Sequence, residues 1–202
     1  MAVKTKICGI TSVKEARMLN AYLPDYAGFV MFYEKSRRNN TVEQAWKVLR
    51  YLDRRIQRVA VTVSPTPEQV RMLEQMDFQV LQIHGEVSKE AVKSCRIPIW
   101  RAHNLSKDAK LEDCGWDERV TGYVLDGAVP GSGKTFDWEA WKSFDRKDRM
   151  MILAGGLNAD NVEAAIEALS PDVVDVSSGV EGEQGKDARK IKEFIGKVKA
   201  YE

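Results

Sequence analysis

Residues 4–16 read Lys4-Thr5-Lys6-Ile7-Cys8-Gly9-Ile10-Thr11-Ser12-Val13-Lys14-Glu15-Ala16. The first half, Thr5 to Ile10, has the length and apolar content of a buried strand. The second opens a helix, because Thr11 or Ser12 stands where a side-chain oxygen can accept from a first-turn N–H, ahead of Val-Lys-Glu-Ala. A strand running straight into a capped helix is one βα unit. Along the strand, period-two alternation puts Lys4, Lys6 and Cys8 on one face and the less polar Thr5 and Ile7 on the other. Helices cover the outside of a closed α/β fold, so the Lys/Cys face is expected to point inward.

The same unit recurs along the 202 residues. Further strands are expected at Ala27–Tyr33, Arg58–Val63, Val80–His84, Ile99–His103, Gly122–Asp126, Met150–Ala154 and Val173–Ser177, which makes eight. Helices are expected to begin after Thr41, after Thr66 (with Pro67 in the first turn), after Asp137, after Asn158 and after Asp187. The stretch from Ser106 to Cys114 is too short and too polar to read as a helix. Eight βα units predict an α/β fold, a single (β/α)₈ TIM barrel of eight parallel strands occupying 1–202 as one catalytic domain; periodicity alone also permits an open doubly wound sheet. In either architecture the active site lies at the carboxyl ends of the strands. Alternation gathers Gln82 and His84, Arg101 and His103, and Asp126 there.

Bulk properties narrow the function. Lys+Arg total 31 and Asp+Glu 30, a formal net charge of +1, so no global field holds nucleic acid or an anionic membrane. The N-terminal stretch lacks the apolar core of a signal peptide and no run is long enough to span a bilayer, which predicts a cytoplasmic protein. Cys8, Cys95 and Cys114 are odd in number and widely spaced, as reduced thiols are. With two histidines, a multi-histidine metal site is not expected, and His84 and His103 read as hydrogen-bonded inward residues.

Two glycine-bearing turns, Ala154-Gly155-Gly156-Leu157 and Ser177-Ser178-Gly179-Val180, follow the seventh and eighth strands. Backbone N–H groups and serine hydroxyls there suit a phosphate, although the glycines also serve as simple tight turns. Ala128-Val-Pro-Gly-Ser-Gly-Lys-Thr135 looks like a Walker A loop. Its context differs: Phe136 intervenes and Asp137 caps a separate helix, so a lid over the substrate, with Lys134 as a contact, fits better. Cys8, beside Lys6 on one face, is placed where a thiolate is favoured. Asp126, at the tip of a buried strand, is placed where desolvation raises a carboxyl pKa, which suits a general acid. Ser36-Arg37-Arg38-Asn39 reads as a solvated basic turn or as a guanidinium gripping a carboxylate.

Lys6-Ile-Cys-Gly-Ile-Thr11, Gly28-Phe-Val, Ser36-Arg-Arg38, Gln82-Ile-His-Gly85, Leu125-Asp126, Gly131-Ser-Gly-Lys-Thr-Phe-Asp-Trp138, Gly155-Gly-Leu-Asn158 and Asp175-Val-Ser-Ser-Gly-Val-Glu181 together resemble the phosphoribosylanthranilate isomerase family. The resemblance runs in order from first strand to last. It implies an Amadori rearrangement of N-(5-phosphoribosyl)anthranilate to the 1-amino-1-deoxyribulose 5-phosphate in tryptophan biosynthesis, with no cofactor and no metal. It further implies Cys8 as general base, Asp126 as general acid, Arg38 on the anthranilate carboxylate, and the phosphate against Gly155, Gly156, Ser177 and Ser178, with His84 also at the substrate. A monomer or a homodimer is expected, with a phosphorylated small molecule as the only partner. The chain departs from the family pattern at Arg37, where proline is common, at Pro130, and at Thr62-Val63-Ser64. A related phosphosugar isomerase with a carboxylate in place of Cys8, a nucleotide switch built on Ala128–Thr135, and a noncatalytic anion-binding module are the competing functions.

Overall fold

The computed structural model describes residues 2–105, 117–127, 138–142 and 144–201. Eight strands form the barrel: β1 Lys4–Cys8, β2 Tyr26–Met31, β3 Gln57–Val63, β4 Val80–His84, β5 Ile99–Leu105, β6 Val120–Gly127, β7 Met150–Leu153 and β8 Val173–Val176. Each pairs in parallel with the next, and β8 returns to β1 through Lys6↔Asp175, so the sheet closes on itself. Closure excludes the open doubly wound alternative. A two-residue extension, Asn39–Asn40, lies beside the end of β2.

The helices start where local hydrogen bonding dictates. α1 (Val13–Tyr22) follows Ser12 in a capping box with Glu15, α2 (Val42–Leu49) follows Thr41, and α3 (Pro67–Gln75) follows Thr66 in a second capping box with Gln69. α4 (Lys89–Ser94) is capped by Ser88, and α6 (Ala188–Ala200) by Asp187, which accepts from the N–H groups of Arg189 and Lys190. α5 (Val162–Leu169) begins three residues later than the sequence suggests, after Asn161. The cause is an Asx turn: the Asn158 side chain accepts from Asp160 N and Asn161 Oδ1 accepts from Asn158 N, which holds those residues out of the helix. After β6, Trp138–Trp141 forms only a 3₁₀ turn. The expected cap Asp137, the lid Ala128–Thr135 and Cys114 lie outside the described residues.

Two apolar layers result. Ile7, Phe29, Leu81, Leu125 and Leu153 face the helices. Tyr26, Val59, Val61, Val80, Trp100, Val124, Ile152 and Val173 fill the barrel interior. Trp100 is the largest interior side chain and packs edge-on to Tyr26, ring centroids 5.0 Å apart.

That packing overturns one expectation. Register carries Val61↔Gln82↔Trp100↔Gly122 around the wall, so Trp100 and Ala102 point inward. Arg101 and His103 therefore face the helical layer, where His103 lies 5.5 Å from the Tyr123 ring. An indole fills the floor of the interior, and alternation sends its polar neighbours outward.

Candidate active site

The carboxyl ends of the strands surround a cavity of about 480 Å³. Cys8, Arg38, His84, Asp126, Gly155, Gly156, Ser177 and Ser178 all line it, although they come from six separate turns of the chain.

Cys8 ends β1 beside Gly28 of β2, its register partner. A β-carbon on Gly28 would sit 2.7 Å from Cys8 Sγ and 3.0 Å from Lys6 Nζ, so only glycine lets thiol and ammonium share this space. Lys6 is wholly buried, and its Nζ donates to Asp175 Oδ2 at 2.7 Å. Burial opposes that charge, but Asp175 and Cys8 more than compensate, and Lys6 stays protonated with a raised pKa. The thiol behaves contrary to expectation. Burial pushes Cys8 up, the Lys6 ammonium pulls it only part of the way back, and the net pKa lies above the ordinary value. The resting site holds a thiol.

Asp126 is 9% exposed at the end of β6. Burial first, then the Asp175 carboxylate, push its pKa up to about 6, against the pull of the Gly127 N–H and Lys6. Such a group exchanges protons close to neutrality. His84 is held down to about 4, by burial and then by Lys6, and is neutral at physiological pH. Its Nε2 lies 3.0 Å from Gln82 Nε2; an amide nitrogen only donates, so in this arrangement the ring accepts there and carries its proton on Nδ1.

The β7 and β8 turns have the backbone required of an anion cradle. Gly155 and Gly156 take φ of +86° and +69°, in the left-handed region, and Asn161 ties down the Gly156 carbonyl. Ser177 Oγ donates to the Cys8 carbonyl at 3.0 Å, so its hydroxyl proton is committed. Ser178 begins a short 3₁₀ turn, Ser178–Val180.

The arginine loop is folded back over the barrel mouth by Asn39 and Asn40. Asn39 Oδ1 accepts from Tyr33 N, and Asn40 Nδ2 donates to the Ile10 and Val30 carbonyls. Of the two arginines, Arg38 has a side chain 16% exposed and Arg37 one 74% exposed. Arg38 meets Glu181 through two bonds, Nε to Oε1 at 2.7 Å and Nη2 to Oε2 at 2.9 Å. Burial alone would raise the Glu181 pKa, but Arg38 and Lys186 bring it to about 2.

Three participants were missed from sequence. Asp175 was legible, since alternation along β8 puts it on the inward face with Ser177. Glu181 lay inside a quoted motif but carried no distinguishing local signal, and Lys186 had none at all.

The family description "N-(5'phosphoribosyl)anthranilate (PRA) isomerase" matches residues 5–197. The chain belongs to that family. It is 38% identical, over 98% of both chains, to the N-(5'-phosphoribosyl)anthranilate isomerase of Thermoanaerobacter sp. (strain X514). Among solved structures, monomers of the dimeric phosphoribosylanthranilate isomerase of Thermotoga maritima match with a TM-score of 0.81 at 35% identity, covering 98% of this chain and 99% of that one. A phosphoribosylanthranilate isomerase in complex with reduced 1-(o-carboxyphenylamino)-1-deoxyribulose 5-phosphate matches with a TM-score of 0.80 at 33% identity, with the same coverage. Membership in the phosphoribosylanthranilate isomerase family agrees with the closed barrel and with the order of motifs along it.

Proposed function

We propose that this chain, residues 1–202 acting as a single catalytic domain, rearranges N-(5'-phosphoribosyl)anthranilate to 1-(o-carboxyphenylamino)-1-deoxyribulose 5-phosphate, with Asp126 as general acid and Cys8 as general base. The observation that carries this reading is that a near-neutral carboxyl and a thiol face one cavity that is also lined by a guanidinium, a paired-glycine turn and a serine turn. Arg38 supports the carboxylate end, and Gly155, Gly156, Ser177 and Ser178 the phosphate end. His84, neutral, offers its Nδ1–H as a substrate donor.

In the first step Asp126 protonates the furanose ring oxygen as the C1–O bond breaks, and the anilino nitrogen lone pair forms the C=N bond of an iminium. Cys8 as thiolate then removes the proton from C2. The C–H electrons form a C1=C2 double bond, the iminium electrons return to nitrogen, and the resulting enolamine ketonises to the product. Substrate and product are isomers, and no oxidant or reductant enters.

The charge states constrain the rate. Asp126, with a pKa near 6, is protonated in about one molecule in ten at pH 7. The thiol, pushed above its ordinary value by burial, is ionised in only a small minority of molecules. The productive combination is the rarer pairing of the two protons. Lys6 supports it by placing a fixed ammonium beside Cys8.

No helix among the described residues is long and apolar enough to cross a membrane, and the proposed location is the cytoplasm. The residues assigned here all come from one chain, so a monomer and a homodimer are both compatible with activity. The test of the residue assignment is kinetic. Cys8→Ala and Asp126→Asn should each lose a factor on the order of 10²–10⁴ in kcat, as for removal of a positioned acid or base. Wild-type turnover by Cys8→Ala would remove the thiol from the mechanism.

A further inference from the structure

Glu181 and Lys186 are not explained by the proton transfers, yet they connect two parts of the cavity wall, the arginine loop and the Ser177 turn. They face each other across a two-strand hairpin, Glu181–Gly182 against Gly185–Lys186, with Glu181↔Lys186 in register. Lys186 has a side chain only 1% exposed, and all three of its N–H bonds have acceptors: Glu181 Oε1 at 2.9 Å, the Ser177 carbonyl at 2.9 Å and Ser177 Oγ at 3.2 Å. Glu181 in turn holds Arg38 by the fork described above. The stem of Arg38 crosses the face of Gly9, where a β-carbon would lie 3.2 Å from Arg38 Nε and 3.1 Å from Ser177 Oγ. The arginine loop after β2 and the serine turn after β8 are thus locked together through one carboxylate and one ammonium.

A guanidinium has two edges that can engage a carboxylate through paired N–H bonds. Glu181 occupies the Nε–Nη2 edge, which leaves the Nη1–Nη2 edge for a ligand. We propose that Glu181 is a positioning residue for carboxylate recognition: it fixes the plane of Arg38, and Lys186 ties that plane to the Ser177 turn. The inference rests on the assignment of Arg38 to the anthranilate carboxylate. Glu181 acts through Arg38 and does not touch the reacting atoms.

The experiment compares steady-state kinetics on N-(5'-phosphoribosyl)anthranilate and on the aniline analogue that lacks the carboxylate, for wild type, Glu181→Gln, Lys186→Gln and Arg38→Ala. Glu181→Gln should raise KM for the anthranilate substrate on the order of tenfold, with kcat within about twofold, and leave KM for the aniline analogue near wild type. Lys186→Gln, which loosens the Ser177 turn, should raise KM for both substrates, since both carry the phosphate. It keeps the inference testable if Glu181→Gln fails to fold. An unchanged KM for the anthranilate substrate in Glu181→Gln, an equal rise for both substrates in that variant, or an unchanged KM for both in Lys186→Gln would each overturn the inference. Arg38→Ala separates the two levels. If it leaves KM for the anthranilate substrate unchanged, the assignment of Arg38 fails; if it raises that KM while Glu181→Gln does not, only the role of Glu181 fails.

Discussion

Lowering the pH from 7.5 to 5 should reduce kcat/KM about tenfold, and the reduction should depend on Asp126. The productive site needs Asp126 protonated and Cys8 ionised. Between the Asp126 pKa of about 6 and the thiol pKa above 9.0, each rise of one pH unit removes tenfold of the first form and adds tenfold of the second. The product of the two fractions is therefore flat over that range. Below pH 6 the gain in protonated Asp126 saturates while thiolate continues to vanish, so the rate falls tenfold per unit. The substrate phosphate also titrates near pH 6, at about the second pKa of a phosphate monoester, and the variant Asp126→Asn separates the two. With no acid to titrate, its residual kcat/KM should climb steadily from pH 6 towards the thiol pKa instead of levelling. The assay is loss of substrate fluorescence under first-order conditions. A wild-type profile flat from pH 5 to 7.5, or a plateau that survives unchanged in Asp126→Asn, would refute the assignment of the acid.

The same raised pKa has a cost in stability. A carboxyl at about 6 when folded and 3.8 when unfolded contributes fully below 3.8 and loses that contribution as pH rises through 6, so Asp126→Asn should be more stable than wild type at pH 7.5 by up to about 3 kcal/mol, the gain fading below pH 4, as read by urea unfolding. Trp100→Ala should cost about 3–5 kcal/mol of unfolding free energy by opening the barrel floor, and a loss below 1 kcal/mol would mean that Trp100 does not support the interior. Gly28→Ala should fold yet lose most of its kcat, because the added methyl displaces Cys8 Sγ and Lys6 Nζ; wild-type kcat in that variant would show that their close approach is not needed.

Much of the fold was legible because its determinants are local. Capping boxes at Ser12 and Thr66, proline at position 67 and the alternating strand Lys4–Cys8 each act over a few residues, and each fixed an element boundary or a face. The fifth strand lies where expected, but its facing was misread because two alternating sets competed there. Arg101 and His103 resemble the polar inward set of β4, and only the register with Gln82 and Gly122 decides that Trp100 takes the interior. Asn158 was the expected cap, but its N–H donates to the Asn161 side chain and its own side chain accepts from Asp160 N, so the helix starts only after Asn161. The candidate site was legible as far as motifs at strand ends carry it. The raised carboxyl of Asp126 was legible from its place at a buried strand tip; the state of Cys8 was not, because its thiol is governed by burial and by the distant Asp175, 167 positions along the chain, as well as by its neighbour Lys6. The Glu181–Lys186 pair depends on a hairpin whose signal, Gly182 and Gly185 flanking two polar residues, fixes a turn without showing what the paired side chains hold.

The most direct test mixes the purified protein with N-(5'-phosphoribosyl)anthranilate and follows substrate fluorescence beside an enzyme-free control. First-order decay faster than the control is expected, proportional to protein concentration, with 1-(o-carboxyphenylamino)-1-deoxyribulose 5-phosphate as the product. Decay at the control rate by folded protein would contradict the proposed function.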